Sequence, residues 1–315
     1  MFSRILSLVL ISFLTRLTGQ IQSPNDFFGY ELGSNFSRHH QVVDYFQYLD
    51  QNSSGIKIVP YGKTSEGRIL QLVFISDPEN LKNLEDIRTI HLRDSNSING
   101  TKNNDKVIVW LSYGVHGNES SSTEASMETA YALITKHQVW LKDTIVILDP
   151  CINPDGRDRY VNFYNQSKST PYDTNRSTRE HEEPWHSGRT NHYIFDLNRD
   201  WAWLTQIESQ QRIKQYNKWL PHIHVDFHEQ GINSPYYFAP AAEPLHELIT
   251  DYQKDFQDAL GRNHAKYFDK EGWFYFTKQH FDILYPSYGD SYPMYLGSIG
   301  MTYEQAGGGV AGLGR

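Results

Sequence analysis

Four short apolar runs constrain this chain most, because each one leads into residues that chemistry can use. Residues 106–111 lead into His116-Gly117-Asn118-Glu119, and 144–148 into Asn153-Pro154-Asp155-Gly156. Residues 223–227 lead into His228, and 299–304 close on Glu304. Runs of this length and apolar content read as buried strands. Helical patterns lie between them. Residues 120–137 carry Met127, Ala130, Leu133 and Ile134 on one face, and 204–220 and 245–267 read as further helices. Strand alternating with helix predicts a mostly parallel sheet covered on both faces. Ligands of such sheets bind beyond the carboxyl ends of the strands. The four stretches are therefore expected to converge on one edge.

The remaining sequence fits the same single α/β domain. Residues 38–49 are expected as an early helix, and 56–60 and 68–75 as strands joined by a turn at Tyr61-Gly62-Lys63. Residues 77–104 read as helix and loop, 165–189 as a long polar loop, and 275–290 as an irregular aromatic segment. No repeat or linker divides the chain, and 315 residues with 38% hydrophobic content suffice for a large core.

A net charge of -8 argues against nucleic-acid binding, which needs a basic face. Arg4 precedes the apolar stretch 5–14, and small or polar residues follow around Thr18-Gly19-Gln20. That is the pattern of a secretory signal peptide, so 1–20 is expected to be removed and the protein to be secreted or periplasmic. The stretch is too short to span a bilayer, which takes ~20 residues, and no later segment could do so. Cys151 is the only cysteine, which rules out an intrachain disulfide; it reads as a small buried apolar residue.

A His-x-x-Glu pair, His116 and Glu119, with the remote His228 supplies two imidazoles and a carboxylate. Three such ligands with one position left for water describe a catalytic zinc site.

The motifs in order are Gly114-Val115-His116-Gly117-Asn118-Glu119, Asn153-Pro154-Asp155-Gly156, Asp196-Leu197-Asn198-Arg199-Asp200-Trp201, Val225-Asp226-Phe227-His228 and Met301-Thr302-Tyr303-Glu304. This series, spread over 61–308, resembles the zinc metallocarboxypeptidases of the carboxypeptidase A-like superfamily. The resemblance implies a carboxypeptidase A-like (phosphorylase/hydrolase-like) fold, a mixed and mostly parallel central sheet with helices on both faces. It implies one Zn2+ per chain on His116, Glu119 and His228, with His224 as a mid-strand rival and Asp226 orienting a ligand histidine. Glu304 takes the place of the general base, with Glu229 as its competitor. Asn198 and Arg199 take the place of the pair that grips the substrate's terminal carboxylate, for which a planar guanidinium is suited. Arg189 is the candidate for the arginine that stabilises the developing oxyanion; Arg176 and Arg179 are its rivals in the same loop. Tyr285 fits the tyrosine that covers the substrate, with Tyr288 close by. Asn153 and Asp155 are expected to shape a turn. The 290–293 segment is expected to contribute to the side-chain pocket, through Asp290 or Tyr292.

The implied reaction removes the C-terminal residue from a peptide or protein with a free C-terminus. Two other readings stand beside it: a cell-wall peptide amidase or amide deacylase of the same superfamily, and a non-catalytic binding module. The complete set of ligands and base weighs against the last. The family continues past its base strand into a closing helix, whereas this chain stops at Arg315. The domain, 21–315, is therefore expected to be incomplete at its C-terminus.

Overall fold

The computed structural model describes residues 20–95, 97–100, 105–171 and 173–307. The expected leader at 1–20 lies outside the described residues except for Gln20. The strands are β1 (Ile56–Lys63), β2 (Ile69–Ile75), β3 (Val107–Tyr113), β4 (Thr144–Asp149), β5 (Ile223–Gln230), β6 (Tyr236–Tyr237), β7 (Tyr275–Phe276) and β8 (Ile299–Ala306). They form one eight-stranded sheet in the order β1-β2-β4-β3-β5-β8-β6-β7. The inner four, β4, β3, β5 and β8, are mutually parallel, and β1 and β2 are antiparallel. The expected mixed, mostly parallel α/β sheet is the one observed.

The helices are α1 (Pro24–Phe28), α2 (His39–Asn52), α3 (Pro78–Lys82), α4 (Leu84–Asp94), α5 (Ser120–Thr135), α6 (Pro154–Ser167), α7 (Ile207–Trp219), α8 (Asp251–Glu271) and α9 (Ser291–Tyr295). Successive side chains of a strand point to opposite faces, and β4 shows what that does here. Val146 and Leu148 pack with Val42, Phe46 and Leu49 of α2 and with Met127, Ala130 and Ile134 of α5. Ile145 and Ile147 pack on the other face with Ile213, Tyr216 and Trp219 of α7 and with Leu84 of α4. Burying both faces is what makes β4 read as an unbroken apolar run rather than an alternating one.

Four expectations are corrected. β1 does not stop at Pro60; a bulge between Pro60 and Gly62 carries it to Lys63, and the turn falls at 64–68, where Gly67 has φ +83. A bulge absorbs the missing proline N–H. The Asn153-Pro154 stretch does not merely turn; it opens α6. Asn153 Oδ1 accepts the Gly156 N–H at 3.0 Å and Pro154 occupies the first turn, where its missing N–H costs nothing. α8 begins at Asp251 rather than 245, because Thr250 and Gln253 form a capping box. The aromatic segment after 275 contributes the short β7, paired with β6.

Candidate metal centre

The parallel strands deliver the four chemical stretches to one edge. Ile152 and Asn153 donate their N–H groups to the carbonyls of Tyr113 and Gly114, so the segments after β4 and β3 run together. His228 stands opposite Glu304 in the β5–β8 register. One donor atom from each of His116, Glu119 and His228 lies within 4.8 Å of the others, and all three residues are buried. His116 Nδ1 is 2.7 Å from Glu119 Oε1 and His228 Nδ1 is 2.9 Å from Glu119 Oε2.

The outward nitrogens are fixed as well. His116 Nε2 is 2.9 Å from Asp196 Oδ1, and His228 Nε2 is 2.9 Å from Asp226 Oδ2. A carboxylate on Nε2 sets the tautomer and leaves Nδ1 as the ligating atom, the arrangement found around metal-bound histidines. The residues present therefore fit zinc: two Nδ1 atoms, one carboxylate, and a fixed ring orientation. Burial alone would lower the pKa of His116, yet Glu119 and Asp196 outweigh it and raise it. For Glu119, burial opposes ionisation, but His116 and His228 hold the carboxyl well below the usual range.

Glu304 is buried, and its Oε2 has no hydrogen-bond partner among the described residues. Burial pushes its carboxyl up to about 7, with His228 pulling it down and Glu119 adding to the rise. A carboxyl so poised, with one oxygen unengaged, is suited to accept and return a proton.

Arg189 comes to the same place. Its Nη1 is 3.3 Å from Glu119 Oε1, and its Nε and Nη2 are 3.2 and 2.9 Å from Asp196 Oδ2. Its rivals Arg176 and Arg179 lie exposed on the preceding loop. Asn198 is engaged inside, with Nδ2 3.2 Å from His228 Nε2 and Oδ1 accepting the Gly289 N–H at 2.8 Å. Arg199 is the half-exposed member of the pair; its guanidinium lies 4.6 Å from the Tyr288 ring centre and 3.8 Å from Asp196. Tyr285 sits beside Tyr288, its hydroxyl accepting from Trp203 Nε1 at 2.6 Å. The structure thus brings together His116, Glu119, His228, Glu304, Arg189 and Asn198, and leaves Arg199 and Tyr285 partly exposed on either side of Tyr288.

The rivals fall away on geometry. His224 is fully buried mid-strand, bonded to Ser112 Oγ at 2.9 Å and packed against Trp201 and Tyr216. The Glu229 carboxylate turns to the start of α5, where it accepts the Ser121 N–H at 2.8 Å. Of the 290–293 pair, Tyr292 packs on Trp201 and Tyr216, while Asp290 is buried nearer Asp226 and His228, its carboxyl raised to about 6 mainly by burial.

Sequence reasoning missed the part played by Asp196, which holds His116 and Arg189 together. The available signal was that a ligand histidine needs an acceptor for its other nitrogen. It also missed that two loops and the start of α6 meet at glycines. A Cβ on Gly117 would lie 2.1 Å from Arg157 N and 2.2 Å from Gly156 C, and one on Gly156 would lie 2.3 Å from Gly188 O.

A family model described as zinc carboxypeptidase matches residues 42–222 of the chain. No curated protein matches the sequence. Among solved structures, carboxypeptidase A from Helicoverpa armigera is similar at a TM-score of 0.57 and 16% identity, over 86% of this chain and 64% of that one. A metallo-carboxypeptidase from Burkholderia cenocepacia is similar at 0.58 and 15%, over 86% and 60%. Bovine thrombin-activatable fibrinolysis inhibitor, solved in complex with tick carboxypeptidase inhibitor, is similar at 0.56 and 14%, over 86% of each chain. The chain spans less than two thirds of the first two. At these identities the likeness is one of fold.

Proposed function

Given that this chain belongs to the zinc carboxypeptidase family, we propose that it is a zinc-dependent metallocarboxypeptidase acting on peptides with a free C-terminus. One observation carries the reading. The donor atoms of His116, Glu119 and His228 gather within 4.8 Å, with both imidazoles turned by carboxylates, and the buried Glu304 lies in register with His228. Bound at these three residues, zinc would supply Lewis acidity and lower the pKa of water toward ~7.

The chain's own residues do the rest. Glu304 takes a proton from the attacking water and returns it to the leaving amine. Arg189, a cation beside Glu119, faces the charge that grows on the carbonyl oxygen. Arg199, half-exposed, offers a fork of N–H donors to the terminal carboxylate. Buried Asn198 keeps the Gly289 segment in place behind it, its Oδ1 accepting the Gly289 N–H.

Export through the 1–20 leader belongs to the same proposal; N-terminal sequencing of the mature protein tests it. The function is tested with free and C-terminally amidated versions of one peptide. Zinc at one per chain, with turnover of the free form alone, is the expected result. Arg199→Met should raise KM for the free form. Equal turnover of both forms would overturn the reading in favour of an amidase or deacylase, which needs no terminal carboxylate.

A further inference from the structure

The first turn of α5 is fastened to two strands by a cluster that the hydrolytic steps leave unused. Glu229 follows His228 on β5, and its side chain is buried. Its backbone N–H donates to Glu119 Oε2 at 3.0 Å. In return its Oε1 accepts the Ser121 N–H at 2.8 Å and the Ser121 hydroxyl. These exchanges flank Glu119 on both sides. Gln305, opposite Glu229 in the β5–β8 register, donates from Nε2 to the same Ser121 hydroxyl oxygen. The serine hydroxyl thus gives to β5 and receives from β8, spending its donor and one of its acceptor sites. Gln230 adds a further tie, donating to the Glu304 carbonyl at 3.2 Å.

A second carboxylate buried beside Glu119 is a costly residue to place there. Its bonds to α5 offset that cost, as does its position at a helix N-terminus, where negative charge is favoured. Glu119 stands immediately before α5, His228 lies on β5 and Glu304 on β8, so the spacing of all three depends on how these elements are joined. We propose that Ser121, Glu229 and Gln305 are positioning residues. Glu229 and Ser121 fix Glu119 against His228, and Gln305 fixes β8, and with it Glu304, against both. This rests on the metallopeptidase reading above.

Zinc affinity is measured on metal-free protein by competition with a chromogenic chelator, and kcat and KM on the zinc-loaded protein with a free-carboxylate peptide. Glu229→Ala should weaken zinc binding on the order of 10- to 100-fold, as loss of a partner behind a ligand does. Glu229→Gln keeps the acceptor oxygen and should bind zinc close to wild type. Gln305→Ala should leave zinc affinity intact and lower kcat by roughly tenfold or more with KM unchanged. The proposal is overturned if Glu229→Ala binds zinc as tightly as wild type, if Glu229→Gln falls as far as Ala, or if Gln305→Ala keeps its kcat. Should Glu229→Ala fail to fold, the Gln and Gln305→Ala variants decide. A wild type that takes up no zinc would sink the metallopeptidase reading as well. A zinc-binding, active wild type with unaffected variants would sink this proposal alone.

Discussion

Glu304 is largely buried yet set among charges, and that balance sets its behaviour. Its carboxyl, raised to about 7 mainly by burial, is drawn down by the cationic side of the site. A base works only when deprotonated, so activity should fall as pH drops and Glu304 takes up its proton. A bound divalent cation lowers that value further, so the acid limb of kcat/KM is expected below pH 7. Glu304→Gln should lose about 10²- to 10⁴-fold in kcat, lose the acid limb, and still bind zinc; steady-state kinetics over pH with a zinc titration checks this. At this scale the sequence was most legible where grouped donors sit in a contiguous motif, as for His116 with Glu119. It was least legible for Asp196, which meets His116 across a separation of 80 residues. No local pattern distinguishes such an aspartate from one that caps a turn, and Asp196 does that too, accepting the Asn198 N–H at 2.9 Å.

The helix α6 shows what a short motif does for a whole element. Asn153 caps it and also donates from Nδ2 to the Arg189 carbonyl at 3.2 Å. Arg157, three residues into α6, is fully buried and gives Nη1 to the Ser120 carbonyl at 2.7 Å and Nη2 to Glu124. The start of α6 therefore braces both the Arg189 segment and the start of α5. Asn153→Ala should cost about 1 kcal/mol of stability through the lost cap, read as a lower urea midpoint, and should also reduce kcat through Arg189. A stability loss with unchanged kcat would show the cap to be local only. The helix escaped sequence reading because Asn-Pro-Asp-Gly carries the same residues that build turns. Only the capping geometry separates the two outcomes. β1 and α8 were misjudged at their ends for related reasons: a bulge and a capping box override the apolar pattern.

Across the molecule, three histidines outside the metal set, His39, His222 and His224, are held neutral. His39 is lowered to about 4 and His224 to about 3, each chiefly by burial, and His222, an exposed residue, is lowered to about 4 by desolvation of its ring and by the neighbouring His91. A histidine depressed in the folded state lets the unfolded chain bind protons first. Its stabilising contribution is complete above the ordinary value near ~6.5 and is lost as pH falls toward the folded value. The buried carboxyls Asp149 and Glu229, each raised to about 7, act in the opposite sense. The sign is therefore read from a variant difference. His222 Nδ1 accepts the Ile108 N–H at 3.0 Å, a bond that an asparagine oxygen can replace. Urea midpoints of His222→Asn should fall less than those of wild type between pH 6.5 and 4; parallel curves would refute this. The mostly parallel sheet was open to inference because strands buried on both faces announce themselves by composition. The way the edge loops interlock was not, since it depends on which residues lack a side chain. Where Gly117, Gly156 and Gly188 meet, ligand loop, α6 and arginine loop touch main chain to main chain, with contacts too close for even a methyl group. The three segments consequently behave as one machined joint: an enzyme engineer who wishes to reshape any of them, for a new metal or a new substrate, will have to replace all three at once.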